Sequence, residues 1–380
     1  MQLDFHYYAT YCAAYLAGYS HEESLELCYS AQFVDCCTRT FLKSVSATVH
    51  AATTQTQAEL LDTRTDLTGL QDITRIWSSF HFLPKDLYAD TPRATKTYRN
   101  KYRLICGPNG NLVKDTVELA KGKSIQHAGI AMHVLADTWA HRNFAGTPSL
   151  VINNTDNNFF EFLPDGSSRK LRFKHAPGAS DDLEEGIFNS TVFNTGESSI
   201  LNLGHGHAGH LPDYSFIRYR YIPAWDGYRE CYKDNPSDYR KAFCQMIFAM
   251  KYLRGIEDEF STGIYDEEAI KPYEERINCI LTKRQLDASE DWKAFAEELS
   301  QEIIPDFDTN AYVEEYKNTP EESLLGKFIL AALSQKSMVT NKIFTSKNLL
   351  AGVSVDYNRK GFAGIKDYIR LVSESMRVGK

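Results

Sequence analysis

Three histidines and an aspartate fall within fifteen positions of the stretch HAGIAMHVLADTWAHRNFAG, residues 127–146. On a helical wheel at about 100° per residue, with His133 at zero, Asp137 falls near about 40°, His141 near about 80° and His127 near about 120°. All four share one arc, and Trp139 points away. Side chains four apart lie one above the other, so His133 and Asp137 can share one cation. His141 lies about 12 Å along the axis from His133. One ion cannot span that distance, so the row points to a site with more than one metal. The plain alternative is a set of buried histidines satisfied by hydroxyls and carbonyls. Four ligand-type residues on one arc of an apolar helix argue against it, because burial without a cation leaves polar groups and charge unpaired.

Other residues of the same chemistry stand apart in the chain. His6 lies in LDFHYYATY, two residues after Asp4, and Asp35 closes the apolar run AQFVD. His81 sits between aromatics in SSFHFLP, and GHGHAGHLPDY supplies His205, His207, His210 and Asp213. Glycines in that last segment allow the backbone to fold around an ion. A donor set of nitrogen and oxygen without cysteine suits Zn2+ first, with Mn2+ or Fe2+ as alternatives. The eight cysteines form no CxxC pair and no disulfide framework, as expected of buried thiols in a reducing compartment.

The elements that must carry these residues read as mainly α. Ser20 with Glu23 is a capping box opening a helix through LELCYSAQFVDCC. Residues 123–143, 236–254 and 290–302 have helical periodicity, and Thr319-Pro320-Glu321-Glu322 reads as the start of a further helix. KTYRNKYRLIC, residues 96–106, with the following GPNGN, reads as a strand and turn. FFEFLPDGSSRKLRFKH reads as a β-hairpin around a PDG turn, inside an Asn-, Gly- and Ser-rich stretch at about 145–204. The expected architecture is a multi-helix metal-binding domain over 1–260 with that hairpin-containing insertion, and a helical region over 261–380 packed on it. The histidines stop at His210, so the segment after about 260 is expected to supply no metal ligand.

Composition limits the function classes. Apolar residues at 43% and charged residues at 24% are ordinary for a globular protein. A net charge of −8 argues against a general clamp on the nucleic-acid backbone. No apolar run reaches the roughly 18 residues of a membrane helix. The N-terminal stretch lacks a basic region, with Asp4 and His6 where one would lie, so no signal peptide is expected and the location reads as cytoplasmic. AKGKS at 120–124 resembles the end of a phosphate loop, but Val117 stands where a glycine is needed.

Taken in order, a histidine near the N-terminus, an aspartate closing the second helix, HF followed by proline, H-x-x-x-D, and a downstream histidine with an acid make one pattern. It resembles the zinc-dependent phospholipase C and single-strand-specific nuclease superfamily. The words DFHYYATY, AQFVD and H-x-L-A-D-T-x-A-H-x-x-F-x-G resemble a bacterial branch of it, over roughly residues 1–225. The resemblance implies a mainly helical domain with a trinuclear zinc cluster in a cleft. Asp35, His81, His133 and Asp137 would hold one ion, and Asp137 would bridge to a second that His6 also binds. His141, with His207 or His210 and Asp213, would hold the third. Water attacks phosphorus in that superfamily, and Asp35 would orient or deprotonate it.

Three departures from the pattern stand out. Secreted members use the mature N-terminal amine as a ligand; Asp4 is expected to substitute for it. The last helix histidine follows the aspartate by six there and by four here. The downstream acid follows its histidine by four there, and by three from His210 or six from His207 here. His127 and His205 have no counterpart and are expected to support ligands, and Arg218 and Arg220 to touch a substrate phosphate. The expected activity is hydrolysis of a phosphoester by two or three zinc ions, on a nucleotide, a nucleic acid or a phospholipid. The rivals are a metal-dependent hydrolase of another bond, such as an amide, and a non-catalytic protein that zinc stabilises. Nucleic-acid binding and oligomeric state stay open.

Overall fold

The chain opens on a π-helical turn, Asp4–Ala9, that runs straight into α1 (Thr10–Leu16). The computed structural model describes residues 1–47, 50–55, 67–91, 96–147, 150–155, 158–176, 178–190, 203–227 and 229–348. Helix α2 (His21–Phe33) starts at the expected capping box, with the Glu23 N–H donating to Ser20 Oγ and the Ser20 N–H to the Glu23 carboxylate. It stops at Phe33, four residues short of the sequence expectation. Asp35 therefore lies in the turn that follows. Then come α3 (Arg39–Ser44), α4 (Leu67–Phe80), α5 (Lys96–Tyr102), α6 (Asn111–Ala120), α7 (Ile125–Ala140) and α8 (Leu150–Asn153).

Helix α5 overturns the strand expected at 96–106. Tyr98 and Tyr102, four apart, stack with centroids 6.2 Å apart, and Tyr102 meets Trp225 edge-on. That is a period of 3.6 rather than 2, and the straight-chain Lys and Arg between them favour helix. Only the tail is extended, where Cys106 bridges Pro84 and Ile105 bridges Ala145.

The insertion forms two small sheets. Strands β1 (Phe160–Phe162) and β2 (Ser168–Lys170) make the expected hairpin, with Phe162 opposite Ser168. The second half of the expected strand breaks at buried Leu171. Its continuation, β3 (Arg172–Lys174), pairs in parallel with β4 (Ile187–Asn189). Strands β5 (Arg218–Tyr221) and β6 (Cys231–Asp234) complete an antiparallel sheet of order β2-β1-β5-β6. Helices α9 (Asn235–Arg254), α10 (Glu274–Thr282), α11 (Ser289–Ser300), α12 (Val313–Asn318) and α13 (Leu324–Thr345) follow. Ser323, not Thr319, caps α13, its Oγ accepting the Gly326 N–H; Thr319 closes α12 instead.

Helix α7 is the central element, packed against α2, α4, α6, α9 and α13. Its residues from Ala128 to Ala140 are all buried, which small and aliphatic side chains allow. A Cβ on Gly129 would lie 2.5 Å from the Leu27 carbonyl oxygen, so glycine sets how closely α2 can approach. The C-terminal helices share this core. Phe328 of α13 meets Phe33 edge-on at 4.9 Å, and Trp292 of α11 meets Phe5 at 6.1 Å. A second apolar cluster, including Phe82, Phe144, Phe159 and Tyr221, joins the larger sheet to the end of α7. No described helix is long and apolar enough to cross a membrane. The last part of the expected C-terminal region, 349–380, lies outside the described residues.

Candidate metal centre

Four segments bring the ligand-type residues to one face of α7. The π-helical turn supplies His6, whose ring stacks on His133 with centroids 3.8 Å apart. The turn after α2 supplies Asp35, the residue just beyond α4 is His81, and the glycine-rich loop supplies His205 and Asp213. Potential ligand atoms gather within 4.8 Å of one another in three groups: His6, His133 and Asp137; Asp35, His81 and His133; His141, His205 and Asp213. Among the described residues, no side chain beyond Asp213 joins them. His133 is shared by two groups. Asp137 stands between, with Oδ1 3.1 Å from His6 Nε2 and Oδ2 3.2 Å from His133 Nε2, 3.4 Å from His81 Nδ1 and 3.5 Å from His141 Nδ1.

Backbone carbonyls fix the orientation of three of these rings. His81 Nε2–H donates to the Thr54 carbonyl at 3.0 Å, His141 Nδ1–H to the His81 carbonyl at 2.7 Å, and His205 Nδ1–H to the Gly209 carbonyl at 2.6 Å. A carbonyl only accepts, so the proton of each neutral ring is on that side. The opposite nitrogens then turn bare lone pairs toward carboxylate oxygens. His81 Nδ1 faces Asp137 and Asp35, the latter at 3.7 Å, while Asp213 lies 3.1 Å from His141 Nε2 and 3.5 Å from His205 Nε2. A lone pair facing a carboxylate oxygen in a buried site calls for a cation between them, a proton or a metal ion. The Met1 ammonium lies 3.3 Å from both His141 Nε2 and Asp213 Oδ1. Orienting a ligating histidine through its other ring N–H is how proteins hold metals. The donor set, all nitrogen and oxygen, fits a divalent transition metal.

The electrostatics point the same way. Burial raises the proton affinity of Asp137, but His141, the Met1 ammonium, His133 and His6 outweigh it and hold the carboxyl well below its usual range. Asp213 is likewise held well below by His205, the ammonium, His141 and His210, against burial. Burial lowers His6 and His205 to about 4, leaving both neutral at pH 7 with lone pairs free for ligation. Burial also pulls His81 down, yet Asp137 and Asp35 prevail and its pKa is raised. Those carboxylates favour a cation at Nδ1, either a proton or a metal ion. Among the described residues, Nδ1 of His6 and of His133 are buried without a hydrogen-bond partner.

The structure rearranges several sequence expectations. Asp4 does not enter the site. Its oxygens accept N–H groups from Phe5 at 2.7 Å and Ala288 at 3.3 Å, tying the π-helical turn to the start of α11, and burial raises its carboxyl to about 6. The Met1 amine stands there instead, 2.7 Å from Asp137 Oδ1 and 3.3 Å from both Asp213 Oδ1 and His141 Nε2. Burial pulls that amine down, and the two carboxylates more than compensate, holding it at about 11. His205, expected as a supporting residue, is the loop histidine in the third group. His207 is buried outside all three groups. His210 reaches Asp213 Oδ2 with Nδ1 at 3.1 Å, a bond that raises its pKa, but more than half of its side chain is exposed.

His127 sits in the first turn of α7 with Nδ1 3.0 Å from Ser124 Oγ, away from the groups it was expected to support. Arg218 and Arg220 are spoken for across the sheet. Arg218 pairs with Asp234 at 3.1 Å, and Arg220 pairs with Glu230 and lies 4.2 Å above the Phe160 ring. Both guanidinium groups, expected to touch a substrate phosphate, are thus engaged by carboxylates in this structure.

Two supports were not visible in the sequence. Thr54 fixes His81 through its carbonyl, and its Oγ1 donates to the Val34 carbonyl beside Asp35 at 2.6 Å. Lys336 of α13 donates to the Ala51 and Thr53 carbonyls, so the C-terminal helix steadies this segment without reaching the centre. Gly209 has φ +56°, and a Cβ there would lie 1.9 Å from the Asn189 carbonyl oxygen. Gly209→Ala is expected to cost at least about 1–3 kcal/mol of stability through backbone strain alone. It should also weaken metal binding at the His205 group, while His133 keeps its ion. Denaturation curves and metal titration check both.

Fold and site together define a mainly helical protein with a buried histidine–aspartate constellation able to take several cations. The chain belongs to the family of unknown function DUF6765, whose model it matches over residues 1–343, a span that includes all three groups. No curated protein and no solved structure matches it.

Proposed function

We propose that the protein is a metal-dependent hydrolase that holds two or three divalent cations, Zn2+ first, and cleaves a phosphoester, most simply a phosphodiester of a nucleotide, nucleic acid or phospholipid. One observation carries the reading: His81, His141 and His205 each spend one ring N–H on a backbone carbonyl and aim the other nitrogen at carboxylates, His81 at Asp137 and Asp35, His141 and His205 at Asp213. Asp35, His81 and His133 would hold one ion, His6 and Asp137 another, and His141, His205 and Asp213 a third, with His133 giving its single lone pair to one ion only. Bound cations supply Lewis acidity, which lowers the pKa of water and neutralises charge developing on phosphorus.

The chain's own residues divide the remaining work. His6, His133 and Asp137 are sealed from solvent, whereas the Asp35 side chain is 26% exposed. Asp35 is thus placed to meet an incoming water and accept its proton. Gln32 Nε2 donates to Asp35 Oδ2 at 3.4 Å and orients it. Asp137, with both oxygens engaged, fixes the spacing of the first two groups. Structural zinc sites are usually closed by four protein ligands, often cysteine. Here the Asp35 side chain, a member of one group, is partly open to solvent, which favours catalysis. All eight cysteines are free thiols, in keeping with a reducing compartment such as the cytoplasm.

The test is turnover of a phosphodiester chromogen, a phosphorylcholine ester, a single-stranded oligonucleotide and an amide by protein loaded with zinc, manganese or iron. The expected result is hydrolysis of at least one phosphoester, lost on chelation and restored by metal. Turnover of the amide alone, or of nothing by fully loaded protein, overturns the proposal.

A further inference from the structure

The junction of β6 and α9 grips both sides of the third group from behind. Asn235 is fully buried, and its Nδ2 donates to the Leu211 carbonyl at 2.9 Å and the Tyr214 carbonyl at 2.8 Å, with the Pro212 carbonyl at 3.4 Å. Those carbonyls flank Asp213. Tyr239, one turn further along α9, donates its hydroxyl to the Pro212 carbonyl at 3.2 Å. On the other side, Lys233 buries its ammonium completely and donates to the Trp139 carbonyl at 2.8 Å, the Ala140 carbonyl at 3.1 Å and Asp238 Oδ2 at 2.8 Å. The Trp139 and Ala140 carbonyls belong to the last turn of α7, immediately before His141, where helical carbonyls lack intrahelical partners. Asp238 Oδ1 in turn lies 3.3 Å from Nη1 of Arg142, the residue just after His141.

We infer that Lys233, Asn235, Asp238 and Tyr239 are positioning residues whose task is to set the separation of His141 and Asp213 for a cation. The inference rests on the metal-centre reading above. Three ammonium protons meet three acceptors, and the two amide protons of Asn235 meet carbonyls on either side of Asp213. Among the described residues, Asn235 Oδ1 is buried without a partner, so the side chain is held for what its NH2 grips. A buried lysine–aspartate pair is a poor source of stability compared with apolar packing, because both charges lose water. What the pair does provide is a fixed direction for the chain on either side of His141. His141 and Asp213 come from segments 72 residues apart and meet at 3.1 Å.

The experiment compares the full-length protein with Asn235→Leu, Lys233→Met and the milder Tyr239→Phe. Ile280→Ala, a core cavity in α10, serves as a stability control. Zinc stoichiometry and stepwise affinities are read by competition with a chromophoric chelator, and site geometry by the visible spectrum of the cobalt form. Asn235→Leu and Lys233→Met should weaken one ion by about 10–100-fold and spare the others, as expected for residues that orient ligands. Tyr239→Phe should show a smaller loss at the same ion, and it decides the matter if the stronger variants do not fold. In a His205→Ala background, these changes should add little, because the ion they serve is already compromised. Ile280→Ala should lower the melting temperature and leave all ion affinities unchanged. Unaltered affinities in the folded variants, or an even loss across all ions, overturn the positioning role. Wild-type protein that binds no transition metal sinks the metal-centre reading itself, and the inference with it.

Discussion

Asp137→Asn is expected to abolish hydrolysis and release at least one ion while α7 stays helical. The carboxylate is 1% exposed and its two oxygens serve different partners. Oδ1 faces the Met1 amine and His6; Oδ2 faces His133, His81 and His141. An amide keeps the shape but carries no charge, and its NH2 brings protons to where lone pairs should meet a cation. Removing one partner from a buried charged network costs roughly 3–5 kcal/mol. A loss of that size is enough to empty a site of ordinary affinity. Elemental analysis, far-ultraviolet circular dichroism and a phosphodiester assay on the same preparation separate loss of metal from loss of fold. Asp4→Asn supplies the contrast, since the Asp4 oxygens accept only backbone N–H groups. It should leave metal content intact. Full metal content and near-normal activity in Asp137→Asn would place the cluster's centre at Asp35 or Asp213 instead.

Stripping the ions should cost the wild-type protein a large part of its thermal stability. Three aspartates and five histidines converge in the three groups, so bound ions would tie four separate segments to α7. Binding to the native state alone stabilises it by RT ln(1 + [L]/Kd), about 4 kcal/mol per ion at a thousandfold excess over Kd. For two or three ions in a chain of this length, the melting temperature should fall by on the order of 10 °C or more. The apo protein should keep its helices, because the core around α7 is extensive and the Met1 ammonium still stands between Asp137 and Asp213. Calorimetry with chelator, then with zinc restored, checks this. A melting temperature indifferent to both would mean that no native-state ion occupies the groups.

What the sequence showed of the centre, it showed where regular geometry governs direction. The i, i+4 spacing of His133 and Asp137 fixes their shared face, and the Ser20 capping box fixes the start of α2. The same geometry, pressed further, argues against Asp4. Two residues before His6, it lies about 200° away on a helix and cannot point inward with it. Irregular segments gave no such purchase. Nothing in the spacing of GHGHAGHLPDY says that a left-handed glycine will return the Gly209 carbonyl to His205 and make that residue, not His207, the partner of Asp213. Arg218 and Arg220 were attractive for their place in the chain, but Asp234 opposite Arg218, and Glu230 just before β6 beside Arg220, are visible only once the β5–β6 pairing is known. The strand expected at 96–106 failed because short alternation competed with an i, i+4 tyrosine pair. Lys233, Asn235 and the Met1 amine act through tertiary contacts alone, and no local pattern marks them.

The most direct test is elemental analysis of protein purified without chelator, with anomalous diffraction at the zinc edge to place the ions. The account predicts two or three transition-metal equivalents per chain, with peaks beside Asp35, His81 and His133, beside His6 and Asp137, and, where a third is bound, among His141, His205 and Asp213. Protein that carries no transition metal and takes none up would contradict it, as would a single ion closed by four protein ligands.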